Sequence, residues 1–285
     1  MFSDVDGDSV VYLNGQFLPL ADAKVSVLDR GFIFGDGIYE VVPFYHGKPF
    51  RMEEHLARLV RSLASIQLDP GFSLDDWRTL VGEMASRTSH THFTIYLQIT
   101  RGPAKRDHAF PAQSRPTVFC MTSPFSPPDA DQREQGLTAA SIPDIRWLRC
   151  EIKFISLLGN VLAKQQAVDA GVDEVLQFRD GVLTEGASCN VWVVRNGTLL
   201  APPLDNLILE GIRYRFIEQL AAQVGIPFEA RRITQDEVAQ ADEIMLSSAT
   251  KEILPVVLYN GNPVGTGKPG PVYATLRAAY DQTLG

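Results

Sequence analysis

Cysteine is scarce, with three residues (Cys120, Cys150 and Cys189) in a chain of 285. They are far apart and odd in number, which argues against a disulfide framework or a zinc knuckle. Histidine is also scarce, at five. The one close pair, His90 and His92, falls on a polar patch ahead of a strand, where an incidental role is expected rather than a metal site. Basic side chains are outnumbered, 26 against 34 acidic ones, and the net charge of −8 lacks the positive footprint of a nucleic-acid binder. No apolar run approaches the length that spans a bilayer. The acidic start, MFSDVDGDSVVYLNG, is unlike a signal peptide. Together these absences give the expectation of a reduced, cytoplasmic protein with neither nucleic acid nor membrane as a partner.

What remains is ordinary globular usage, 45% hydrophobic and 21% charged. At roughly 150 residues per domain the length suggests two. Asn14-Gly15 between apolar runs predicts a hairpin, and His46-Gly47 a second strand pair. Met52, Leu56, Leu59, Val60, Leu63 and Ile66 recur at helical spacing, and a second helix is expected over 74–86. THFTIYLQIT returns to period two, with Phe93, Ile95, Leu97 and Ile99 on one face, and 116–121 reads as another strand. The proline-rich polar stretch SPFSPPDADQREQG reads as a linker.

Beyond it a strand (137–142) and a helix (158–170) precede hairpins at Asp180-Gly181 and Asn196-Gly197. A long helix over 212–224 follows, then strands at 243–247 and 256–259 and a last helix over 272–283. Strands and helices mix without a regular βαβ rhythm, so the fold class is α+β. The expected division is a smaller N-terminal domain over 1–122, a linker over 123–136 and a larger C-terminal domain over 137–285.

Two glycine-rich segments fail as nucleotide motifs. Gly35-Asp36-Gly37 has Glu40 where a dinucleotide fingerprint needs its third glycine, and Gly267-Lys268 is followed by Pro269 instead of a hydroxyl residue. Neither a G-x-S-x-G elbow nor an H-E-x-x-H helix is present.

Seven lysines occur, most of them in polar surroundings. Lys153 differs, because it sits in RWLRCEIKFISLLGNVLAKQQA beside Ile152 and an apolar run. Burial disfavours the charged form of a lysine, and a neutral amine forms a Schiff base with a carbonyl substrate or with pyridoxal phosphate. On its own residues Lys153 reads first as a snorkelling lysine at a strand end.

Pyridoxal phosphate needs a carboxylate at its ring nitrogen and cations or backbone donors at its phosphate. Glu185 in LTEGASCN, Arg58 on the helix face opposite Leu56 and Leu63, and the helix start at Gly211-Ile212 are candidates. Singly, each is also an ordinary surface residue or helix end.

The segments DRGFIFGDGIYEVV, EEHLARL, QITRGPAKRDHAFP, DIRWLRCEIKFISLLGNVLAKQQA, LTEGASCNVW and ILEGI follow in order from about Val10 to the last helix. In these the chain resembles the fold-type IV pyridoxal-phosphate enzymes, and among them the D-amino-acid transaminases. The resemblance implies a two-domain α+β architecture with pyridoxal 5'-phosphate as cofactor. It assigns Lys153 to the covalent bond with the cofactor and to proton transfer, Glu185 to the ring nitrogen, and Leu209 to the ring face. Arg58 and the Gly211-Ile212 helix start would bind the phosphate. Arg213 and Ala249 stand where relatives commonly place phosphate-binding threonines, and Ser248 and Thr250 are the candidates to compensate, so altered cofactor affinity is expected.

Tyr39, Arg106 and His108 match a trap for the substrate α-carboxylate, with Ser188 beside the substrate. The family is homodimeric, and Arg106 and His108 then reach into the neighbouring subunit's site. That implies transfer of an amino group between D-amino acids such as D-alanine or D-glutamate and 2-oxo acids such as pyruvate or 2-oxoglutarate. Asp107, between the two trap residues, leaves a preference for acidic side chains open. A branched-chain L-amino-acid transaminase, an (R)-amine transaminase, an aminodeoxychorismate lyase and a non-catalytic pyridoxal-phosphate-binding protein are the alternatives.

Overall fold

The computed structural model describes residue 7, residues 9–113 and residues 115–284; positions 1–6 and 8 of the acidic start lie outside them. The chain divides into two compact units, Met1–Ser126 with Ile152–Ser156, and Pro127–Glu151 with Leu157–Gly285.

In the first unit β1 (Val10–Leu13) and β2 (Gln16–Pro19) form the expected hairpin. Asn14 and Gly15 take φ of 49° and 95°, which a two-residue turn between right-twisted strands requires. A short helix α1 (Arg30–Phe34) leads into β3 (Gly37–Tyr45), which turns at His46-Gly47 into β4 (Lys48–Pro49). Helices α2 (Met52–Ser65) and α3 (Leu74–Ala85) come next, the latter started by a Ser73–Asp76 capping box. Strands β5 (Phe93–Thr100) and β6 (Thr117–Pro124) complete an antiparallel sheet of order β2-β1-β6-β5-β3-β4. Phe93, Ile95, Leu97 and Ile99 all point to one buried side, as the alternation predicts, and pack with Leu56, Leu59, Trp77 and Val81. Burial of side chains this size contributes about 1.5–3 kcal/mol each.

The second unit begins with α4 (Ala130–Gln135), inside the stretch expected to be a linker. Asp129 and Gln132 form a capping box there, and no residue of the helix is buried, so no apolar period announces it. There follow β7 (Leu137–Pro143), α5 (Leu158–Asp169), β8 (Glu174–Arg179), β9 (Val182–Gly186), β10 (Asn190–Arg195) and β11 (Thr198–Ala201). Then come α6 (Ile212–Gln223), β12 (Phe228–Ala230) and α7 (Gln235–Ala239). The chain finishes with β13 (Glu243–Ser248), β14 (Glu252–Tyr259), β15 (Asn262–Pro263) and α8 (Pro271–Asp281).

The strand order is β12-β11-β10-β13-β14-β7-β8-β9, with β15 beside β14; β7 runs parallel to β8 and β14, while most other pairs are antiparallel. An antiparallel sheet in one unit and a mixed sheet in the other, each with helices, make the fold α+β. One placement differs from expectation: Ile152–Ser156, with Lys153, packs with the first unit rather than with 137–285. The physical reason is backbone pairing, since Tyr39 N–H donates to the Lys153 carbonyl and Ile155 N–H to that of Gly37. Among the described residues no helix is long and apolar enough to cross a membrane.

Candidate active site

Lys153 is fixed by that pairing and by its own N–H, 3.4 Å from the Ser62 hydroxyl. Its Nζ lies 4.0 Å from the centroid of the Tyr39 ring, a cation–π distance. The Tyr39 ring stacks in turn on Tyr96 at 5.7 Å. Burial pushes the Tyr96 hydroxyl up to about 12, so it remains a donor, and it bonds Gln98 at 2.7 Å. The structure therefore brings two of the expected residues together, Lys153 and Tyr39.

Arg58 is not where the helical pattern puts it. It is buried on the inward side of α2 with His55, Leu59 and Ser62, not on the face away from the core. The cause is Glu40, a carboxylate at an inward position of β3 in step with Ile38 and Val42. Arg58 donates to it through Nε at 2.9 Å and Nη2 at 2.6 Å, and His55 Nδ1 lies 2.9 Å away. Burial acts to raise the Glu40 carboxyl, but the charges of Arg58 and His55 outweigh it and hold the group well below the usual carboxylate range. A buried arginine of this kind is fixed in place before any anion arrives.

In the second unit Glu185, next to last in β9, is buried. One oxygen accepts from Arg146 Nη1 and the other from the Leu209 N–H at 2.9 Å. Burial pushes this carboxyl up, against the pull of Arg146 and the Leu209 N–H. Arg146 is itself buried and spans Asp144, through Nε at 2.9 Å and Nη2 at 2.8 Å, and the Leu207 carbonyl at 3.2 Å. Sequence reasoning misses Arg146, because it lies in an irregular segment where no periodicity marks it. It misses Glu40 too, although an acid in phase with apolar strand positions is a readable signal.

Helix α6 starts at Gly211, and no side chain caps it, unlike α3, α4 and α7, whose N-caps are Ser73, Asp129 and Thr234. A Cβ at Gly211 would collide with Asn190 Oδ1, so any larger residue there must displace the Asn190 side chain. Asn190 also ties the preceding turn, donating to the Leu209 carbonyl at 2.9 Å. Arg213, at the second helical position, is buried and directs Nε to the Tyr280 hydroxyl of α8 at 2.8 Å. Ser248 Oγ accepts the Lys251 N–H at 3.1 Å and so closes the turn that holds Ala249 and Thr250. Ser188 is exposed between buried Ala187 and Cys189. Arg106 and His108 are exposed on the loop between β5 and β6.

Each unit, taken by itself, holds groups whose chemistry suits pyridoxal phosphate. The first has a primary amine over an aromatic ring and a pre-positioned arginine. The second has a buried carboxylate of the kind that pairs with a ring nitrogen, and an uncapped helix start of the kind that receives a phosphate. Among the described residues, no group of three or more His, Cys, Asp or Glu side chains could hold a metal ion.

Comparison with known proteins agrees with this chemistry. The family model for amino-transferase class IV matches residues 37–259. A D-alanine aminotransferase of Staphylococcus haemolyticus is 41% identical over 275 residues, covering 96% of this chain and 97% of the relative. The crystal structure of an Escherichia coli branched-chain amino acid aminotransferase has a TM-score of 0.92 at 26% identity, covering 97% of this chain and 95% of that one. That of a branched-chain amino acid aminotransferase from Thermobaculum terrenum, in its PLP-form, has a TM-score of 0.86 at 24% identity, covering 98% and 95%. The chain belongs to the class IV amino-transferase family, and it is an aminotransferase that works with pyridoxal phosphate.

Proposed function

We propose that this aminotransferase moves amino groups between D-amino acids, D-alanine and D-glutamate among them, and 2-oxo acids such as pyruvate and 2-oxoglutarate. The observation that carries the reading is the pair Arg106 and His108, exposed together on one loop of a chain 41% identical to a D-alanine aminotransferase. An arginine fork binds a carboxylate at two points. With Tyr39 it would fix the substrate α-carboxylate, and so decide which way the Cα–H bond points.

Pyridoxal phosphate supplies the aldehyde that takes up the amino group and the ring that accepts electrons from Cα. The remaining work falls to side chains of this chain. Lys153 would hold the cofactor through its amine and carry the proton taken from the substrate Cα. Glu185 would pair with the ring nitrogen, and Leu209 would face the ring. Arg58, held by Glu40, and the N–H groups at Gly211 and Ile212 would bind the phosphate, with Arg213, Ser248 and Ala249 as further residues on that side. Ser188 would contact the substrate. The net exchange releases one 2-oxo acid and consumes another.

The same reading makes the protein a homodimer in which Arg106 and His108 complete the neighbouring site. Large exposed apolar side chains support it, Val27, Phe32 and Phe110 in the first unit and Trp147, Leu158 and Val161 in the second, since such groups are characteristic of contact surfaces. A cytoplasmic location goes with it, supported by three unpaired thiols.

The test is the absorption spectrum of the purified protein before and after D-alanine, L-leucine or (R)-1-phenylethylamine. Loss of the lysine-bound cofactor band with D-alanine alone is the expected result. Loss with L-leucine or the amine alone would overturn the assignment of Arg106 and His108.

A further inference from the structure

Among its described residues the loop bearing Arg106 and His108 has no helix or strand of its own, yet it is held firmly from beneath. Arg30, the first residue of α1, is 4% exposed. Its Nη1 donates to the carbonyls of Asp107 and Ala109, and its Nη2 to the carbonyl of His108 at 3.2 Å. Three successive carbonyls thus turn inward onto one cation, and the side chains of Asp107, His108 and Ala109 are left exposed.

The guanidinium is anchored on its other side, with Nε 2.7 Å from Asp36. Asp36 is also gripped by Arg101, through Nε at 2.9 Å and Nη2 at 3.1 Å. Arg101 then lies over the Phe110 ring at 3.6 Å. Rings complete the support: Phe34, at the end of α1, is 5.3 Å from the His108 ring, and the Arg106 guanidinium is 5.6 Å from Phe34. Asp29 fixes the start of α1, since Thr100 and Thr117 donate to its carboxylate at 2.7 and 2.6 Å.

We propose that Arg30 is a positioning residue for substrate selection, which sets where Arg106 and His108 stand and thereby the preference for one enantiomer. This rests on reading Arg106 and His108 as the carboxylate trap. A planar fork can reach three carbonyls and an acid at once, whereas a lysine ammonium keeps the charge as a single compact point. Small displacements of a positioned group cost large factors in rate. Arg30→Lys therefore separates the fork from the charge.

The experiment is steady-state kinetics of holoenzyme with D-alanine and L-alanine, for Arg30→Lys, Phe34→Leu and Arg106→Gln. In Arg30→Lys the KM for D-alanine should rise about tenfold with kcat within about twofold, the pattern of lost binding rather than lost chemistry. The D-over-L preference should fall with it. Phe34→Leu, which keeps the hydrogen bonds of Arg30 but removes the ring 4.9 Å from its guanidinium, should move both quantities in the same direction by a smaller factor, and it serves as the test if Arg30→Lys does not fold. An unchanged KM in these variants overturns the proposal, as does a fall in kcat and cofactor occupancy with KM and preference intact. If Arg106→Gln raises KM while Arg30→Lys does not, the clamp is wrong and the trap stands. If Arg106→Gln itself leaves KM and preference unchanged, the reading of the trap fails.

Discussion

The Nζ of Lys153 lies 4.0 Å from the centroid of the Tyr39 ring, and the Lys153 carbonyl accepts the Tyr39 N–H at 2.9 Å. One residue pair is thus joined twice, by backbone and by side chain. Lys153→Ala should abolish turnover in a D-alanine/2-oxoglutarate assay and remove the lysine-bound cofactor band. Near-normal rates would refute the assigned role.

Arg146→Met takes from the buried Glu185 its cationic partner and leaves it the Leu209 N–H. Breaking a buried pair costs about 3–5 kcal/mol, so a large drop in Tm is expected, together with a lower kcat as the carboxyl rises further. Arg146→Lys should restore part of both. A variant with wild-type kcat and Tm would show that Glu185 needs no such support.

Glu40 gives stability a pH dependence of definite sign. Its folded pKa is depressed below the ordinary 4.5. The stability it contributes is therefore present above that value and lost as pH falls below it toward the depressed value. Thermal melts of wild type and Glu40→Gln should differ most near pH 7 and converge as pH drops from about 5 toward 3. A gap that stays constant would remove Glu40 from the acid response.

Cofactor titrations test the two departures at the phosphate. Ala249→Thr adds a hydroxyl on the turn closed by Ser248 and should tighten pyridoxal-phosphate binding, by about tenfold if one hydrogen bond to a charged group is gained. Arg213→Thr adds the same group but breaks the 2.8 Å bond to Tyr280, so its Tm should fall. Unchanged affinity in both variants would sink the idea that these positions weaken the phosphate site.

Gly211→Ala should lower cofactor affinity by about tenfold or more, because the new methyl displaces Asn190 and with it the Leu209 carbonyl. Wild-type affinity in that variant would mean that the helix start takes no part in binding.

Much of the fold is legible because it is written in local chemistry. Asn14-Gly15, Asp180-Gly181 and Asn196-Gly197 all take positive φ at the expected hairpins, and the boundaries of α2, α3 and α6 follow their apolar spacing. What escapes depends on partners distant in sequence. Arginines usually face water, and Arg58 turns inward only because Glu40, 18 residues earlier, is buried against it. Arg146 acts on a carboxylate 39 residues away. Helix α4 buries nothing, so its capping box is the sole sign. Lys153 and Glu185 stand out by their segments, but which unit each packs into does not.

That last point bears on how the enzyme could be taken apart. Residues 152–156 belong to the first unit while both flanks belong to the second, so the chain crosses between units three times. A cut after Ser126 would therefore leave Lys153 on the second fragment, away from the β3 backbone that pairs with it. The two halves are not separable modules: moving the first between relatives would also have to take five residues from within the span of the second.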